Sequence, residues 1–179
     1  MRVSKNKFVL IYFIIIFFPG ITIADSDLKK EAIIQFLHQK VLHSVADLGE
    51  KIKFCTEQKK SVLLDKKTLE KINAKRDELL SSLLHLSNQN DEKCEQNSRL
   101  KLAYDLGVLK TFYRYFSIDV ETIDGVNSEL IFPSMAEIEL SIKYSSYPEK
   151  LKLYLEKTIG DQPFDLIKTM GISGLSTTY

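Results

Sequence analysis

Apolar positions recur at spacings of three and four along most of the chain, which predicts amphipathic helices rather than strands. Over residues 27–60 they are Ile34, Leu37, Val41, Val45, Leu48, Ile52 and Cys55, with Asp25 or Ser26 ahead of them as a cap. A second stripe follows Asp65, another capping residue: Leu69, Ile72, Leu79, Leu83 and Leu86. It stops in the polar stretch Ser87–Asp91. A third helix is expected over residues 92–117, with Leu102, Leu106, Leu109, Tyr113 and Phe116 on one side.

The pattern changes over residues 118–133. Asp124-Gly125 is a turn signal, and Leu130-Ile131-Phe132 reads either as a short strand or as an apolar anchor before Pro133. Ser134 then caps a helix through Met135, Ile138, Ile142 and Tyr144. Pro148 opens the next, since proline suits a first helical turn, and Gly160 ends it after Leu151, Tyr154, Leu155 and Ile159. A last short helix carries Phe164, Ile167 and Met170. The expectation is an all-α, single-domain bundle of about five or six helices over residues 25–170, with a flexible tail at 171–179.

The N-terminus reads differently. Arg2, Lys5 and Lys7 precede the unbroken apolar run Phe8–Phe18, a Pro19-Gly20 break, and small residues at Thr22 and Ala24. That order describes a cleavable secretory signal over residues 1–24. The run is shorter than the roughly 20 residues that span a bilayer, so no stable membrane insertion is expected after cleavage. Counting in Ile21 and Ile23 leaves an uncleaved anchor as the alternative. The expected compartment is the periplasm or the exterior.

Without the leader's three cations the chain has 22 basic and 24 acidic residues. Such a balance argues against nucleic-acid binding, which runs on clustered Lys and Arg. Export also bears on the two cysteines, since thiols pair in oxidising compartments, so Cys55–Cys94 is the expected disulfide. Their Cα atoms must then lie within roughly 7 Å. A straight helix over residues 66–87 would carry the chain about 33 Å away and leave Cys94 at the wrong end. The bridge therefore requires a reversal near Ile72–Arg76, where Asn73 is the turn residue. Two buried thiols or an intermolecular bond are the alternatives.

No catalytic constellation emerges. His38 and His43 are five apart and share no helical face; His43 and Asp47 do, but lack a third ligand. Gly171-Ile172-Ser173-Gly174 is no phosphate loop, and Ser173 is in no nucleophile elbow. Glu137 and Glu139 point in different directions around a helix, so they form no glycosidase pair. Neither a cofactor nor an enzymatic activity is expected. The aromatic cluster Phe112, Tyr113, Tyr115 and Phe116, with Arg114, cannot face one core from a single helix. Part of it is a candidate partner-binding face, because Tyr and Arg are enriched at hot spots. Tyr144 and Tyr147 are further candidates.

The stretch Pro133–Leu151 resembles the Rap/Tai family of periplasmic immunity proteins. The likeness rests on a capped helix ending in Lys143-Tyr144, then Tyr147, Pro148 and Glu149 before a further helix. Ala103-Tyr104-Asp105-Leu106-Gly107 is a fainter echo of a preceding helix. The resemblance implies a small, exported, disulfide-bonded helical protein that binds and blocks a secreted peptidoglycan-cleaving toxin. The expected function is thus stoichiometric binding of a protein partner, with self-association as a homodimer left open. The alternative is a structural or assembly factor of a bacterial envelope secretion, pilus or conjugation system.

Overall fold

The computed structural model describes residues 28–121, 123, 124, 131 and 133–175. The leader expected over residues 1–24, the Asp25 and Ser26 caps, Gly125, Leu130, Phe132 and the tail from Ser176 lie outside the described residues. The described residues form six helices: α1 (Leu28–Glu57), α2 (Lys66–Lys71), α3 (Arg76–Tyr115), α4 (Met135–Ser145), α5 (Glu149–Ile159) and α6 (Leu166–Ile172). Among them there is no strand, only an isolated parallel bridge between Lys60 and Phe164. The fold is all-α, as the periodicity implies.

The 40-residue α3, about 60 Å long at the α-helical rise, is the spine. Helices α1, α4, α5 and α6 all pack on it. Its two halves carry separate cores. Leu79, Leu83 and Leu86 join Leu64, Leu69, Tyr144, Leu151, Leu155, Ile159 and Phe164. Leu102, Leu106, Leu109 and Tyr113 join Leu37, Val41, Val45, Leu48 and Ile123. At 3.6 residues per turn the two leucine stripes lie roughly two fifths of a turn apart. One helix thus presents one face to α4–α6 and another to α1.

This corrects the expectation of a helix end at Ser87–Asp91. The polar residues there are partners within the fold. Asn90 is 1 % exposed, and its amide donates to the carbonyls of Gly160 (2.9 Å) and Gln162 (3.0 Å), tying the α5–α6 connection to the spine. Asp91 pairs with Lys59 at 2.6 Å. The apolar stripe changes side at this point; the backbone does not break.

The break falls at Asn73 instead. Its φ of 54° is left-handed, and Ala74 N–H reaches back to Leu69 O (3.1 Å) to close α2. The chain runs out through residues 58–75 and returns along α3, bringing Cys94 to Cys55 with Cα atoms 6.1 Å apart in a disulfide. Between them residues 59–65 cross α5 and α6 as an extended strap. Its N–H groups are met by side chains: Val62 by Thr169 Oγ1 (3.0 Å), Leu64 by Ser173 Oγ (3.2 Å) and Asp65 by Tyr154 OH (2.7 Å).

The expected caps are present. Asp65 accepts from Thr68 N–H (3.1 Å), and Ser134 and Glu137 complete a reciprocal capping box. The C-terminal limit moves outward from 170: α6 continues to Ile172 and Leu175 packs on the first core. Ile167, expected on the apolar face of α6, points outward because Thr169, Met170 and Ser173 face the strap and the core.

Candidate partner-binding surface

α1 lies antiparallel to the second half of α3, and its register is set by polar contacts as well as leucines. Ser44 Oγ donates to Asp105 Oδ2 at 2.5 Å, both residues being buried. Lys101 bridges to Asp47 at 2.5 Å. His38 Nε2 lies 2.6 Å from Tyr113 OH, with the rings edge to face. Removal from water holds the His38 imidazole below its ordinary pKa and the Tyr113 phenol above its own.

The free end of this helical hairpin holds the aromatic cluster, which the structure divides. Tyr113 is 8 % exposed and belongs to the core, and Phe112 is half-buried against it. Tyr115, by contrast, is 79 % exposed, with Arg114 exposed beside it. Phe116 links the two sets: its ring centroid is 6.2 Å from Phe112 and 5.0 Å from Tyr115, and the Lys30 ammonium lies 5.5 Å above it. Two positive charges and an amphipathic ring therefore surround a packed aromatic base.

Tyr144 and Tyr147 are elsewhere. Tyr144 is 7 % exposed; it stacks on His85 at 4.4 Å and donates to Glu156 Oε1 at 2.8 Å. Burial, together with the Glu156 carboxylate, drives its phenol far above the ordinary tyrosine range. Tyr147 is half-buried against the same core. The 28 positions between His85 and Tyr113 on α3 amount to about 42 Å of helix, so the two tyrosine groups form no common site. Tyr113 and Tyr144 are thereby corrected from contact candidates to core residues: each spends its hydroxyl on an internal partner. Arg114 and Tyr115 remain at the surface.

Other apolar side chains face solvent, among them three of the four that the spacing puts on the apolar side of α4, where only Tyr144 is buried. Met135, Ile138 and Ile142 form a stripe on the outside of α4. Next to it, clefts of about 270 and 290 Å³ share Gln89, Glu92 and Pro133 along α3. Phe36 and Phe54 stand out of α1, each beneath a lysine: Lys40 at 5.3 Å and Lys51 at 4.5 Å from the ring centroid. Phe36 and Phe54 lie five turns apart with only polar residues between them on that line, so apolar spacing carries no signal for them.

No group of three or more His, Cys, Asp and Glu that could hold a metal ion occurs among the described residues, and no described helix is long and apolar enough to cross a membrane. No protein-family model, no curated protein and no solved structure matches the chain.

Proposed function

We propose that this is an exported helical binding protein that occludes a protein partner stoichiometrically, in the form of an immunity-type inhibitor of a cell-wall-cleaving enzyme. The observation that carries the reading is the hairpin tip. Tyr115, Arg114 and Lys30 are displayed around Phe116 on two long helices joined by a disulfide and by buried polar contacts. A rigid scaffold supporting an exposed aromatic and cations suits a binding hot spot, because little order has to be acquired on association. The disulfide is in keeping with an oxidising compartment.

The test is capture of the partner by the oxidised protein, followed by assay of the partner's peptidoglycan hydrolysis. One-to-one capture with loss of hydrolysis is expected. Tyr115→Ala and Arg114→Ala should each weaken binding by about 2 kcal/mol, roughly thirtyfold, with an unchanged circular dichroism spectrum. Unaltered affinity in both variants would remove the tip from the proposal. The assembly-factor reading is favoured by the Met135, Ile138 and Ile142 stripe, a helical face suited to another helix. Capture of envelope-machine subunits through that stripe would select it.

A further inference from the structure

The outward side of α1 carries a second heptad-like seam. Phe36, Lys40, His43, Asp47, Glu50 and Phe54 follow one another at spacings of four, three, four, three and four. They lie on one line of the helix, opposite the buried Leu37, Val41, Val45 and Leu48. Phe36 is 60 % and Phe54 50 % exposed, and Lys40, His43 and Glu50 are exposed between them. Asp47, between His43 (3.6 Å) and Lys101, is half-exposed.

The order of these residues is complementary to its own reverse. Laid against an antiparallel copy centred on Val45, Phe36 meets the second copy's Phe54. Lys40 then meets its Glu50, and His43 meets its Asp47. The other three layers repeat these pairings by symmetry. All six layers match, aromatic with aromatic at the ends and cation or imidazole with carboxylate in the middle. Alternating spacings of four and three are also what an antiparallel seam requires, since each position of one kind then faces one of the other kind.

We infer that the outward face of α1 is a self-recognition surface, through which two copies of this chain associate antiparallel about a twofold axis. A twofold interface uses the same patch on both subunits, and that demands a self-complementary sequence of this type. The seam spans about 27 Å of helix, which is short for a protein interface, so association is reversible and concentration-dependent. The polar middle sets the register. The arrangement directs the two hairpin tips to opposite ends, leaving both open to partners.

The experiment is sedimentation equilibrium of the purified full-length product over a wide concentration range. The mass should rise from one chain to two, and added salt should weaken the association. Lys40→Glu and Glu50→Lys each place like charges in two layers and should weaken dimerisation at least about tenfold. The double variant Lys40→Glu/Glu50→Lys restores the complement and should recover affinity to within about threefold. Both sites are exposed, so circular dichroism should be unchanged in all three. A monomer at every concentration, or single swaps without effect, would overturn the inference. So would single-swap losses that the double variant fails to restore, the result expected if the face binds a different protein. Tip variants report on the proposed inhibitor role separately, since Arg114 and Tyr115 lie outside the seam.

Discussion

His38 and His85 are two titrating groups that link stability to pH near neutrality. Burial is the main cause that holds each imidazole below its ordinary value of 6.5; for His85 the Glu156 carboxylate partly opposes it. The unfolded chain therefore takes up protons at a higher pH than the folded one. Their contribution is complete above about pH 6.5 and is lost as pH falls through that value toward the folded pKa. The melting temperature is expected to drop between about pH 7 and pH 5. Replacing both, as His38→Gln/His85→Phe, should flatten that drop, and an unchanged slope would assign it to other groups. Asp47, Asp65 and Asp165 act in a different window. Hydrogen bonds from Lys101, Thr68 and Lys168 are the largest causes lowering their pKa values, so their contribution persists until the pH falls toward 3.8 and below.

At the scale of elements, the reversal at Asn73 determines where α3 begins. Its left-handed backbone is comfortable for glycine, tolerable for asparagine and strained for other residues. Asn73→Gly should leave stability within about 0.5 kcal/mol, whereas Asn73→Ala should lose about 1 kcal/mol. Urea midpoints compare the two, and an equal loss in both would show that the asparagine side chain matters rather than the backbone. The helices themselves were legible because their caps are local. Ser134 with Glu137, Asp65 with Thr68, and Gly160 at φ 68° all act within a few residues. The extent of α3 was not legible. Ser87, Asn90 and Asp91 look like an end until Gly160, Gln162 and Lys59, distant in sequence, are seen to bond them.

For the molecule as a whole, the disulfide closes the excursion between two cores carried on the two halves of α3. Cross-linking across 39 positions removes unfolded-state entropy worth about 4 kcal/mol. Cys55→Ser/Cys94→Ser is expected to lower the unfolding free energy by that order and to speed amide exchange in residues 58–75. Slow exchange there in the variant would show that Thr169, Ser173 and Tyr154 hold the strap without the bridge.

Helix content, capping residues and the inward stripe of α1 follow from the residue order, since each depends on three-to-four spacing or on contacts a few positions apart. The need for a reversal at Asn73 followed once Cys55 was taken to pair with Cys94, a pairing that the sequence left open against two free thiols or an intermolecular bond. Whether an aromatic faces core or solvent did not. Tyr113 and Tyr115 are two positions apart on one helix, yet one meets His38 and the other meets solvent. The difference comes from the course of α1, 75 positions from Tyr113 at His38, and local spacing carries no information about which side of α3 such a distant element will cover.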